Sequence, residues 1–184
     1  MTRFKGRDWK GGKGHMMDNG THVTFIANWP GNIPAGQINN DLVDFSDVLP
    51  TLAEAAGGTV PEKLGVTGRS ILPQLMGKPG TPREYVYCWY FRNGQLAEGG
   101  TEHAAGESAR DQRYKLYLNG GFYDVPQDFY ETSPLDANKL TSEQKTIRDR
   151  LNSVIQQHTR DGFYDTSATA PQKKSGKKNA KQRN

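Results

Sequence analysis

One cysteine, four histidines and no apolar run long enough to cross a bilayer are what this 184-residue chain offers, and each shortage closes a class of function. A lone Cys88 excludes an internal disulfide and any metal site built from several thiolates. His15, His22, His103 and His158 are too scattered for an obvious zinc motif. Without about 18 consecutive apolar residues no helical membrane span is expected, and Met1-Thr2-Arg3-Phe4-Lys5 lacks the apolar stretch of an export leader. Apolar residues make up only 34% of the chain beside 21 glycines, so the expectation is one loop-rich domain with a modest core.

Acidic residues are missing from one place in particular. Lys173, Lys174, Lys177, Lys178, Lys181 and Arg183 stand without an acid nearby, so the formal charge of +4 belongs to the tail, and residues 1–170 carry a net −2. Residues 166–184 are read as a disordered basic tail, because Pro171–Asn184 holds no side chain large enough to offset ordering by burial. A solvated extension and a polyanion contact are both open to it, and no specific nucleic-acid partner is expected.

What is present is concentrated near the start. Gly11-Gly12-Lys13-Gly14-His15 sets a single lysine among glycines, ahead of Asp18-Asn19-Gly20-Thr21-His22 and the apolar run Val23–Asn28, which ends at Trp29-Pro30-Gly31. Glycines let a backbone approach a ligand closely, so Lys13 can present its ammonium to an anion. A solvated surface loop is the other reading of these residues. The phosphate-binding P-loop does not fit, since its lysine precedes Ser or Thr and Lys13 precedes Gly14.

Val23–Asn28, apolar without alternation, is expected to be a strand buried on both faces. Ser46 or Asp47 is expected to cap a helix that carries Pro50 in its first turn, buries Val48, Leu49, Leu52, Ala55 and Ala56, and stops at Gly57-Gly58. A shorter helix follows Ser70 and ends at Gly77. Glu84–Phe91 reads as a strand, with Cys88 as inert packing beside Tyr87 and Trp89. Arg113–Leu118 and Phe122–Val125, joined by Asn119-Gly120-Gly121, read as a hairpin. Thr141 and Gln144 form a capping box for a helix whose Ile147, Leu151, Val154 and Ile155 face the sheet.

Five segments in order carry a resemblance to the sulfatases. They are Gly12-Lys13-Gly14 with Asp18–Val23 and Trp29-Pro30-Gly31; Phe45–Leu52, similar to that family's Asp-x-x-Pro-Thr-Leu helix start; Gly68-Arg69-Ser70-Ile71-Leu72-Pro73; Arg113-Tyr114-Lys115-Leu116; and Tyr123-Asp124-Val125 with Asp128–Glu131. The match runs over residues 10–160 and resembles only the C-terminal third of an arylsulfatase-like member of the alkaline phosphatase superfamily. The chain departs from the pattern at Thr24, at Asp18-Asn19 and at Phe129.

The resemblance implies an α/β protein, α+β within this chain. Residues 1–40 would be a remnant of the large catalytic domain carrying the Gly-Lys-Gly loop. Residues 41–165 would be the C-terminal subdomain, a small antiparallel sheet packed by a helix. It implies hydrolysis of sulfate esters, with Lys13 as the catalytic contact to the sulfate, and with His15 and His103 as candidates for substrate binding. His22 and Asp18 are expected to brace the loop. Calcium and a formylglycine nucleophile are expected of the full-length family, but Cys88 is followed by Trp89-Tyr90-Phe91 rather than by Pro-Ser-Arg, and no metal ligand is expected in this chain. Its partners would be a sulfated small molecule or polysaccharide and an N-terminal catalytic region, without which the chain would be inactive. The complete protein would be periplasmic or secreted. A phosphodiesterase or phosphonate hydrolase of the same superfamily, and a non-catalytic anion-binding module, remain open alternatives.

Overall fold

Period-two alternation in one short segment organises the centre of the molecule. In the computed structural model, which describes residues 2–4, 6–90 and 106–160, strand β5 (Tyr114–Tyr117) is buried along its whole length. It sends Tyr114 and Leu116 to one face of a sheet and Lys115 and Tyr117 to the other. Its neighbours are β3 (Val86–Tyr90), β4 (Gly106–Arg110) and β6 (Phe122–Asp124), in the antiparallel order β3-β4-β5-β6. Register is set by pairs such as Cys88 with Ser108, Ala109 with Leu116 and Lys115 with Tyr123. An N-terminal ribbon, β1 (Thr2–Phe4) with β2 (Arg7–Trp9), pairs separately.

Helix α4 (Ser142–Arg160) covers the first face. Its start follows the capping-box expectation: the Gln144 amide donates to the Thr141 hydroxyl at 3.2 Å, and the Gln144 side chain accepts from the Thr141 amide at 2.9 Å. Leu151, Val154 and Ile155 then pack with Ala109, Tyr114, Leu116 and Phe122 into the main core, flanked by Ile147. This is the antiparallel sheet with one covering helix that the apolar spacing predicts. Strand β4 was not anticipated, because Gly106-Glu107-Ser108-Ala109-Arg110 has no β-branched or aromatic residue. It pairs with β3 and β5 all the same, since its neighbours supply the context that propensity lacks.

Two expectations upstream are overturned. Val23–Asn28 is not a strand: it has no regular secondary structure, and Ile26 is 81% exposed. Nor does α2 (Val48–Ala55) bury its apolar face, since Val48, Leu49 and Leu52 point outward and only Thr51 is buried. The polar side is the one that is held. Thr51 donates to the Asp47 carbonyl and accepts from the Ile71 amide at 3.0 Å, which draws that side toward α3 (Leu72–Leu75). Asp47 is the N-cap of α2 as expected, but its side chain does not cap that helix: it closes a capping box with Asp44 around the 3-10 turn Phe45–Asp47. Gly57, at φ 76°, ends α2 as expected.

Asp47 is the anchor of this half. Its fully buried carboxylate accepts from Arg83 Nε at 2.6 Å, Arg83 Nη2 at 2.5 Å, the Arg69 amide at 2.8 Å and the Asp44 amide at 2.9 Å. Burial alone would push the Asp47 carboxyl up, but the Arg83 hydrogen bonds, the two backbone amides and the Arg83 charge outweigh it and hold the group below 3.8. Its contribution to stability is therefore complete above about pH 4 and lost as pH falls through the lowered native value. Asp47→Ala leaves the Arg83 charge buried and unpaired, with an expected cost of about 3 to 5 kcal/mol in urea unfolding at neutral pH. The acid limb of the stability curve should flatten in the same variant.

Candidate functional site

The second face of the sheet carries the glycine loop. Residues Gly12–His15 close a turn through the His15 amide and the Gly12 carbonyl at 2.9 Å, with Lys13 exposed at the second position and Gly14 at φ 84° in the third. A turn of this shape requires positive φ at its third residue, which is the reason for glycine at 14. A single helical turn, α1 (Asp18–Thr21), follows and folds back so closely that a Cβ on Gly20 would overlap the carbonyl oxygens of His15 and Gly12.

What seats this loop is a buried charged cluster. Met16 is fully buried and packs with Tyr117 and Tyr123, flanked by Cys88 and Tyr90. Beneath it the Lys115 ammonium, 2% exposed, donates to the Met16 carbonyl and to Glu131 Oε1 at 3.1 Å. Glu131 Oε1 also accepts from the Asp18 amide at 2.7 Å, and Glu131 Oε2 accepts from the Tyr117 hydroxyl. Asp18 is buried in turn, paired with Arg110 and 3.2 Å from His22 Nδ1. Arg110 is held by the Asp111 and Gln112 carbonyls.

Burial pushes the Lys115 ammonium down against the opposing pull of Glu131. Burial first, then the Glu131 charge and hydrogen bond, drive the Tyr117 phenol far above its ordinary range. The Cys88 thiol is raised chiefly by burial, although the Lys115 charge pulls the other way, so it is a poor nucleophile.

The structure thus places Lys13 on an exposed turn and His15 half-buried beside it, with Asp18 and His22 joined as the loop's internal brace. His103 and residues 166–184 lie outside the described residues. Lys115, Tyr117, Glu131 and Arg110 were not singled out from the sequence. Lys115 alternates with Tyr114 and Leu116, which by itself reads as a solvent-facing charge, so the spacing carried no signal of its burial.

Two results are expected. Gly20→Ala, which forces overpacking against two carbonyls, should cost about 1 to 3 kcal/mol in chemical denaturation. In alkali, the unfolded chain ionises Tyr117 near pH 10 while the native state keeps its proton, so stability falls as pH rises above that value. Tyr117→Phe should remove up to about 1.4 kcal/mol per pH unit from the slope of that limb, whatever its effect at neutral pH.

The chain matches the C-terminal family model of N-sulphoglucosamine sulphohydrolase over residues 9–159. It is 39% identical over 114 residues to an ulvan-active sulfatase of Formosa agariphila, covering 62% of this chain and 22% of that protein. It is 39% identical over 88 residues to human steryl-sulfatase, covering 48% of this chain and 15% of that protein. Rat arylsulfatase G is 25% identical over 172 residues, with 83% of this chain and 31% of that protein covered. A solved structure of a candidate sulfatase from Bacteroides thetaiotaomicron aligns with a TM-score of 0.42 at 28% identity, over 63% of this chain and 24% of its own. The chain spans less than a third of the length of these relatives. With the family matched across most of its length, the chain belongs to the sulfatases, of which it carries the C-terminal part.

Proposed function

We propose that this chain is the C-terminal part of an enzyme that hydrolyses sulfate esters, and that Lys13 contacts the sulfate. The observation that carries the reading is the exposed lysine on a turn pinned by buried charges, within a segment matched by the sulfatase family. Negative charge on the sulfuryl oxygens and on the leaving oxygen grows or redistributes in the transition state, and a fixed cation stabilises it. Lys13 would act as such a clamp rather than as a base. His15 is a second contact candidate on the same turn.

The described residues do not fit calcium or a formylglycine nucleophile. No group of three or more His, Cys, Asp or Glu among them is placed to hold a metal ion, and Cys88 is a half-buried residue in the middle of β3. On this reading both groups belong to the catalytic region that the longer relatives possess. The outward apolar side chains Phe25, Ile26, Phe45, Leu49 and Leu52 are suited to burial against such a region. A sulfated small molecule or polysaccharide is the substrate class proposed, and export of the complete protein accords with it.

The test is Lys13→Ala in the enzyme that contains this segment, assayed on an aryl sulfate and an aryl phosphodiester. Loss of one charge-stabilising contact, about 2 to 4 kcal/mol, corresponds to a fall in kcat/KM on the sulfate of roughly 30- to 900-fold. An unchanged kcat/KM overturns the role of Lys13. Turnover of the phosphodiester alone would replace the sulfate reading with a phosphodiesterase.

A further inference from the structure

We propose that Lys115, Glu131 and Tyr117 are positioning residues for Lys13, a buried latch that sets the shape of the Gly12–His22 loop from the sheet beneath it. The inference rests on the sulfate reading above. Its basis is where the polar atoms of the latch are directed. The Lys115–Glu131 contact leaves donors and acceptors over, and these are directed at the loop: Lys115 Nζ also donates to the Met16 carbonyl, and Glu131 Oε1 also accepts from the Asp18 amide. These two backbone groups flank Met17, so the latch grips the loop by its main chain on both sides of one residue. From Met16 back to Lys13 only two residues intervene, and the His15 amide closes the turn on Gly12. A fixed Met16 therefore leaves the turn little freedom.

Two further features agree. Glu131 has φ 51°, the only non-glycine residue with positive φ among the described residues. A glutamate is held in that disfavoured region only where surrounding contacts over-determine it. The carboxylate so aimed is buried and shared among an amide, an ammonium and a phenol. Arg110 and His22, on the two oxygens of Asp18, hold the far end of the loop. Lys13 itself is outside the cluster, so the latch acts on it through backbone geometry.

The experiment uses the full 184-residue chain labelled with 15N. Lys115→Met/Glu131→Leu removes both charges at similar buried volume, an exchange that a folded core tolerates. Glu131→Gln keeps one acceptor and is the milder variant, and Lys13→Ala is the control. Amide hydrogen exchange is read at His15 and Asp18 against Leu116 in the sheet, and inorganic sulfate is titrated while the Lys13–His15 amide shifts are followed. In the double variant, exchange at Asp18 and His15 should accelerate at least tenfold with Leu116 unchanged, and sulfate affinity should weaken at least fivefold. Glu131→Gln should fall between.

Wild-type sulfate affinity in a variant with faster loop exchange overturns the proposal, as does unaltered exchange at His15. If Leu116 loses protection in the double variant, Glu131→Gln decides by the same two readouts. If the wild-type shifts ignore sulfate, the latch stands or falls on His15 exchange alone, and the sulfate reading on the Lys13→Ala assay of the enzyme that contains this segment.

Discussion

A lysine and a glutamate taken out of water together are the constraint on which the arrangement of this chain depends. Desolvating either ion costs several kcal/mol, and their mutual attraction offsets that cost only when the remaining donors and acceptors are also used. Here they are used on the loop. The Lys115–Glu131 pair is stable because Met16, Asp18 and Tyr117 complete its hydrogen bonding, and those residues are in place because the pair is there. The sheet therefore has two dissimilar coverings: an apolar helix over one face, and over the other a glycine loop held by charge.

A second buried pair, Asp47–Arg83, does comparable work between residues 44 and 83. It also accounts for the orientation of α2. Thr51 and Asp47 make their hydrogen bonds toward the chain, so the helix turns its polar edge inward and leaves Leu49 and Leu52 in solvent. Helical apolar periodicity identifies a face that wants burial, and carries no information on what buries it. The same holds for Val23–Asn28, whose composition asks for a sheet that these residues do not join.

Local chemistry was the legible part. The capping box at Thr141 and Gln144, the apolar stripe of α4, the hairpin around Asn119-Gly120-Gly121 and the glycine stop of α2 each follow from interactions within a few residues. The Gly-Lys-Gly turn was visible as well, together with Asp18 and His22 as its brace. The latch was not read, because Lys115 and Glu131 lie 99 and 113 residues beyond their loop partners and nothing in spacing announces such a pairing. Strand β4 was hidden for a related reason, since a strand of Gly, Glu, Ser, Ala and Arg is made by its neighbours and not by its own preferences.

The separation between the latch and its loop has a consequence for synthesis. Glu131 follows Asp18 by 113 residues, which at ribosomal speed is a delay of roughly 6 to 23 s. During that interval the Met16 carbonyl lacks its ammonium donor and the Asp18 amide its carboxylate acceptor. The latched shape of the turn that carries Lys13 is thus completed only after Glu131 has emerged.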